Sequence, residues 1–466
     1  MNHSVFKFGG TSVRDFQRMK QVAEIIDNHS SGSLLVIASA TAGTTNSLQL
    51  ICEKLRKNIS CCKKELDEIT SRHLQIVNEF EDTGGDMHLR NRVKIQLRYL
   101  KQSVLSFNRS DREAEFSFAE ILGYGELLST TILTEDINLY SRRARWLDVR
   151  RLMIANGPAR HAIPDSAAIK QNTDIILSPM LEGKETVVVT AGFIGRNLNG
   201  QTVTLGRGGS DYSASLLGAA LNANQIQIWT DVDGVMTADP QQVCEAQVLD
   251  SISYDEASDL AISGARVLHP STLLPARLNN IPVIVRNTLN PSHPGTLISN
   301  TLSETASVTA KSISYQRNVI SAELTILHDQ SHESLLQFMS NLQNNILSSV
   351  LSMTLSQSGL SLIIRDNENR DQILQELKQL GTVRIEKNLA LIRIVGDRLR
   401  EREETTETLV TGLQGFSVRF ISSGNDNLGQ SILIKDNILQ EALTSLHRVL
   451  FEGSTPAERS QPCGSA

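Results

Sequence analysis

Two glycine-rich stretches carry residues suited to holding a phosphate chain. "VFKFGGTSV" (5–13) places Lys7 inside an otherwise apolar run, directly ahead of Gly9 and Gly10. "TLGRGGSDYSAS" (204–215) places three glycines in four positions, then Ser210 and Asp211. Glycine lets backbone N–H groups close on an anion, and a helix N-terminus adds its dipole. The second stretch has no lysine of its own, so an aspartate beside an anion site calls for a cation from elsewhere. Lys7 is the candidate, because a lysine in a buried strand is costly without a counter-charge. Two loops facing one phosphate chain is the functional reading. A lysine snorkelling at a sheet edge beside two plain turns is the structural one.

Other loops add polar groups. "IASATAGTTNSL" (37–48) offers Ser39, Thr41, Thr44, Thr45 and Asn46, which can orient a small polar substrate or cap the next helix. "GYGELLST" sets Glu126 on an apolar helical stretch, either exposed or paired with a buried cation such as a substrate ammonium. "IWTDVDGVMTADP" (228–240) clusters Asp231, Asp233 and Asp239 after a strand, as a polar nucleotide rim or a turn-rich loop would. "SGARVLHPSTLLPA" adds Arg266, a possible phosphate contact, and His269, which reads as structural.

These loops need a frame. Short apolar runs at Val5–Phe8, Leu34–Ser39, Arg145–Val149, Thr186–Ala191, Gln225–Thr230 and Pro282–Arg286 read as strands, several of them buried and parallel. Helical patterns lie between them at Phe16–Asn28, Ala114–Thr134 and Ser213–Asn222. The alternation predicts an α/β fold, an open, mostly parallel sheet sandwiched by helices, over residues 1–300. Residues 49–112 are polar and strand-poor and read as a helical insert. Beyond the Pro- and Gly-punctuated "NPSHPGTLISN", two similar α+β units follow, at 312–384 and 385–453, each reading as βαββα. The small, polar run 454–466 reads as a disordered tail.

Composition narrows the class. A formal net charge of −6 without a long basic stripe argues against nucleic-acid binding. The five cysteines form no CxxC pair and no metal-ligand spacing, and read as reduced structural thiols. No apolar run reaches the ~20 residues that span a bilayer, and a strand beginning near Val5 leaves no leader ahead of the fold. The expectation is a cytoplasmic protein.

The blocks "KFGGTSV", "TLGRGGSDYSA", "WTDVDGVMTADP", "VLHPSTLLPA" and "NPSHPGTLI" stand in the order and spacing of aspartate kinases. Residues 4–300 therefore resemble the amino-acid kinase fold of that family. The two later units resemble its paired ferredoxin-like ACT domains, most clearly at "ALIRIVGDRLR" and "FISSGNDNLGQSILI". The resemblance implies ATP and Mg²⁺ as cofactors and L-aspartate as acceptor. It implies that Lys7 contacts the transferring phosphoryl group and that Asp211 organises Lys7. Ser39, Thr45 and Glu126 would hold aspartate, Glu126 on its amino group. Arg207 would pair with the α-carboxylate, and Gly208, Gly209 and Ser210 would complete the pocket. Gly9, Gly10, Thr230, Asp231, Met236, Gln241, Arg266 and Val267 would lie on the ATP side. ACT-type units also imply an amino-acid effector and a homodimer or larger assembly.

Three positions depart from the family pattern, all on the nucleotide side. Met236 stands for Tyr, Gln241 for Arg and Arg266 for Lys. Met236 could still cover an adenine face and Arg266 keeps its charge, whereas Gln241 lacks a cation. The stretch "HDQSHESLLQF" lacks the glycine turn that binds an inhibitory amino acid in relatives, so the effector is left open. Two rival readings remain beside aspartate kinase: a kinase of glutamate or N-acetylglutamate, and a catalytically weak amino-acid-binding paralogue that regulates a partner kinase.

Overall fold

The computed structural model describes residues 3–29, 32–57, 61–107, 111–183, 185–264, 270–300, 310–326, 338, 340, 349–356, 359–367, 369–397, 399, 403–423 and 428–452. The chain divides into two compact units. The first comprises Met1–Val235, Val248–Ser258 and Val267–Leu302, and the second Met236–Gln247, Asp259–Arg266 and Ser303–Ala466.

An eight-stranded sheet is the frame of the first unit. Its strands are β1 (His3–Phe8), β2 (Ser33–Ala38), β3 (Ala144–Leu147), β4 (Val187–Ala191), β5 (Gln225–Thr230), β6 (Ser251–Ser253), β7 (Val283–Asn287) and β8 (Thr296–Ser299). They lie in the order β6-β8-β7-β5-β1-β2-β4-β3. Every pairing is parallel except β7 with β8. The runs SLLVIA and VVVTA are buried along their whole length, which is why they read as unbroken apolar sequence. Burying each such side chain stabilises by roughly 1.5–3 kcal/mol.

The helices pack on this frame. They are α1 (Phe16–His29), α2 (Thr44–Arg56), α3 (Lys63–Asp82), α4 (His88–Leu105), α5 (Asp111–Tyr140) and α6 (Gly209–Leu221). Residues 49–112 hold most of α2, all of α3 and α4, and the start of α5. One core joins β1, β2 and β4 to the inner faces of α1 to α5. The expected helix at Ser213 begins four residues earlier. Gly208 is its N-cap, at φ 70°, a left-handed conformation that only a residue without Cβ adopts freely. The expected strand at Arg145–Val149 stops at Leu147, because Asp148 accepts a hydrogen bond from the Arg150 amide and caps a short 3₁₀ turn.

The second unit is built on a six-stranded antiparallel sheet. Its strands are β9 (Ala310–Ile326), β10 (Val350–Ser356), β11 (Gly359–Arg365), β12 (Gly381–Gly396), β13 (Val418–Ser423) and β14 (Gly429–Lys435), ordered β10-β11-β9-β12-β14-β13. Helices α9 (Arg370–Leu380), α10 (Glu403–Gly412) and α11 (Leu439–His447) cover it; α7 (Tyr254–Ile262) and α8 (Pro270–Leu278) precede them. Each repeat needs a fourth strand that the βαββα reading lacked. The first takes residues 381–386 of β12, paired with the second half of β9. The second takes the first half of β9, residues 310–316, paired with the end of β12. A bulge near the middle of each long strand keeps both sets of apolar residues on the helix side, and Asn318 and Asn388 sit there with φ of 56° and 59°; a further register shift lies at Ala310/Ser312. Of the expected helix at Leu335–Leu347, Phe338 and Ser340 are described and both are helical; its other residues, the loop 328–337 and the tail 454–466 lie outside the described residues.

Candidate active site

The loops leaving β5, β1, β2 and β4 emerge side by side, because these four strands are neighbours and parallel. The carboxyl edge of such strands is where open α/β sheets bind ligands. Lys7 is the penultimate residue of β1 and is only 8 % exposed. Its Nζ meets Asp211 Oδ1 at 2.6 Å. The two glycine loops, some 200 residues apart in sequence, therefore converge on one ion pair. Asp211 lies in the first turn of α6, whose N–H groups have no acceptor one turn earlier in the helix. The Lys7 side chain and the N-terminus of α6, with Asp211 between them, thus meet at the end of β1.

A second polar centre lies beside it. Glu126 is buried on α5, and its Oε1 accepts a hydrogen bond of 2.7 Å from Ser210 Oγ. Its Oε2 is buried without a hydrogen-bond partner. Burial pushes the carboxyl up to about 8; Ser210, Lys7 and the Gly192 amide pull it down, and Asp211 pushes it further up. A buried carboxyl with one oxygen unmatched suits a cationic ligand group, which supplies both the missing donor and the missing charge. Gly192 makes this arrangement possible. A Cβ there would lie 2.6 Å from Ser210 Cα, so only glycine lets the turn after β4 lie against α6.

The loop after β2 completes the edge. The Ser39 amide donates to the Phe8 carbonyl at 3.0 Å, and Ser129 Oγ, one turn beyond Glu126, donates to the Ser39 carbonyl at 2.7 Å. Thr45 is half-buried in the first turn of α2. On the other side, the Gly9 amide donates to the Trp229 carbonyl, and Thr230 and Asp231 follow at the end of β5. Asp233 accepts from Asn287 at 2.8 Å and fixes that loop.

The structure thus brings Lys7, Gly9, Gly10, Ser39, Thr45, Glu126, Gly208, Gly209, Ser210, Asp211, Thr230 and Asp231 to neighbouring loops of the first unit. Arg207 is exposed and makes no ion pair among the described residues. Met236 and Gln241 belong to the second unit, where the Met236 carbonyl accepts from Ser312 Oγ and the Gln241 amide donates to Asp239. Arg266, Val267 and His269 lie outside the described residues. Gly192 was not legible as a site residue, since nothing in "TAGFIG" signals a contact with Ser210.

Comparison with known proteins agrees with this geometry. Residues 3–287 match the amino acid kinase family. The chain is 32% identical over 459 residues to lysine-sensitive aspartokinase 3 of Escherichia coli K12, covering 96% of this chain and 99% of that protein. The crystal structure of E. coli aspartokinase III with aspartate and ADP, in the R-state, superposes with a TM-score of 0.82 at 32% identity, over 97% of this chain and all of that one. The T-state of the same enzyme, with lysine and aspartate, gives 0.77 over 96% of this chain and 99% of that chain. Among the described residues no helix is long and apolar enough to cross a membrane.

Proposed function

Since the chain belongs to the amino acid kinase family and, within it, to the aspartokinases, we propose a role for each group at the edge of its parallel sheet. The reaction passes the γ-phosphoryl group of ATP to the β-carboxylate of L-aspartate, giving ADP and 4-phospho-L-aspartate. A bond forms between a carboxylate oxygen and the γ-phosphorus, and the bond from that phosphorus to the β,γ-bridging oxygen breaks. The acceptor is already ionised at neutral pH, with a reference pKa of ~3.9, so no general base is required. The difficulty is bringing two anions together and stabilising charge on the equatorial oxygens.

Lys7 and the first-turn amides of α6 supply that stabilisation, held in place before substrate arrives. Asp211 pins the Lys7 ammonium at 2.6 Å. Glu126 takes the substrate ammonium on its unmatched oxygen. Arg207, extended from the loop ahead of α6, takes the α-carboxylate as a bidentate pair. Ser39, Thr45, Gly208, Gly209 and Ser210 line the acceptor pocket. Gly9, Gly10, Thr230 and Asp231 flank the nucleotide, with Met236, Gln241, Arg266 and Val267 as its further candidates.

Among the described residues no group of three or more His, Cys, Asp or Glu side chains forms a metal cage. Mg²⁺, which would neutralise phosphate charge when bound, would be held chiefly by the nucleotide, and Asp211 beside Lys7 is the acid at this edge that could meet it. The cytoplasm, which supplies ATP, is the compartment proposed for the reaction. Residues 1–300 act as the catalytic domain, and the units at 312–384 and 385–453 as ACT-type regulatory units that take an amino-acid effector and support a dimer or larger assembly.

The observation that carries this reading is the buried Lys7–Asp211 pair adjoining the buried Glu126–Ser210 pair. An ADP-release assay with L-aspartate, L-glutamate or no acceptor tests it. Turnover with L-aspartate alone, lost in Lys7→Ala, is expected. Equal turnover with L-glutamate, or none with either acid, would overturn it.

A further inference from the structure

The helical insert plays no part in the chemistry above, yet α3 reaches the loop that joins β2 to α2. Four side chains form a chain of hydrogen bonds there. Arg72 Nη1 donates to Thr44 Oγ1 at 2.9 Å, Thr44 Oγ1 lies 2.6 Å from Thr41 Oγ1, and Thr41 Oγ1 lies 3.3 Å from His73 Nε2. His73 Nδ1 faces the Ile69 carbonyl at 2.7 Å. Thr41, Thr44 and His73 are almost wholly buried.

The direction of the chain follows from its two ends. A carbonyl only accepts, so Nδ1 carries the ring proton and Nε2 of the neutral ring accepts. The Thr41 hydroxyl must then donate to Nε2, and the Thr44 hydroxyl to Thr41. That leaves Thr44 Oγ1 free to accept from Arg72, which only donates. Every hydroxyl has one donor role and one acceptor role. A second proton on His73 would make Nε2 a donor to Thr41 and leave one of the two threonine protons without an acceptor in the chain. Burial and the nearby Arg72 guanidinium both oppose that proton, and hold the ring down to about 4.

We propose that Arg72 and His73 are positioning residues, by which α3 fixes the Ser39–Thr45 loop in the shape that receives the acceptor amino acid. The same loop is also held by α5, through Ser129 and the Ser39 carbonyl. With α3 in place it is tied to two helices. The inference rests on the acceptor role proposed for Ser39 and Thr45.

Two readouts on the full-length enzyme separate the inference from that reading. Hydrogen exchange is followed at the loop amides, including Ala42 and Thr44, which bond to Gly10 and Thr41 carbonyls. Michaelis constants for L-aspartate and ATP are measured on the same preparations. The variants are His73→Leu, Thr41→Val and His73→Gln, whose side-chain oxygen can stand in for Nε2. Removing one such link, at a typical ~1 kcal/mol, corresponds to about a five- to tenfold effect.

The expected result is loop exchange and the aspartate KM raised by about that factor in Leu and Val. The ATP KM and exchange in β1 should stay within about twofold, and Gln should restore both readouts. If His73→Leu fails to fold, Thr41→Val, nearly isosteric, decides alone. Unchanged loop exchange overturns the inference whatever the kinetics. Faster loop exchange with an unchanged aspartate KM, or KM values for both substrates rising together, also overturns it. A wild type without aspartate turnover refutes the proposed function instead, and exchange then decides the positioning role by itself.

Discussion

Lys7 and Glu126 face the same edge of the sheet but answer to different physics. Lys7 is held against Asp211, and its value to the reaction lies in where its Nζ sits before ATP arrives. Lys7→Ala should cost about a thousandfold or more in kcat, the scale of losing one preorganised charge in phosphoryl transfer. Steady-state ADP release checks this. Burial holds Glu126 up to about 8, against an ordinary value of 4.5. The folded protein therefore keeps a proton that the unfolded chain releases. The stability this brings is full below pH ~4.5 and is lost as pH rises through ~8. Glu126→Gln should flatten that slope and melt above wild type near pH 9, the change being read by thermal unfolding across pH. When a substrate ammonium reaches the unmatched oxygen, the carboxyl should ionise. Aspartate binding near pH 7 should thus release up to about one proton, seen as heats that differ between buffers of different ionisation enthalpy. Binding without proton release would place the ammonium elsewhere. Lys7 was legible because an apolar strand isolates it. His73 stood at an equally readable position, in the buried stripe Ile69, Ile76, Val77 and Phe80 of α3, but its partner Thr41 lies 32 residues away.

The strands of the first sheet were legible because burial on both faces demands unbroken apolar runs, as in SLLVIA and VVVTA. Helix starts were less so. α2 and α6 begin at Gly43 and Gly208, whose left-handed conformations replace the Ser or Asp cap that marks a start in sequence. The short antiparallel hairpin Ile194–Arg196 with Thr202–Thr204 has too few residues to show a period. In the second unit the alternation of β9 and β12 breaks at Asn318 and Asn388, and no local reading reveals that each long strand serves both repeats. These features make two variants informative. Gly192→Ala would drive a methyl group into the backbone of Ser210 and push the N-terminus of α6 off Glu126. We expect weaker aspartate binding and a loss of stability of about 1–3 kcal/mol, the usual range for overpacking, measured by urea unfolding and calorimetry. Asn388→Val forces a β-branched residue into a left-handed conformation and should destabilise by about 1–2 kcal/mol. Asn388→Gly should be close to neutral. Equal losses for both substitutions would show that the asparagine side chain, not the backbone, matters there.

The molecule is not divided by one cut, although composition changes near residue 300. Residues Met236–Gln247 and Asp259–Arg266 come before that point yet belong to the second unit. Their packing says why. Ala238 and Val243 are buried in a core with Ile313, Ile392, Ile394 and Leu443, and the Ile313 amide donates to the Thr237 carbonyl at 2.7 Å. Thr237 Oγ1 lies 2.9 Å from Nε2 of the buried His447, on α11. A chain ended at residue 302 would keep all of the first sheet but strip these segments of their core. Exposed apolar surface of that kind promotes association. The truncated protein should bind a hydrophobic dye, elute as aggregates on gel filtration and melt below the full chain. A second truncation that also carries Ala238→Ser and Val243→Ser should regain solubility, because it removes the surface that the missing core once covered. If the first truncation is monomeric and as stable as the full chain, residues 236–247 do not depend on the core they join, and the first unit closes on itself at residue 302.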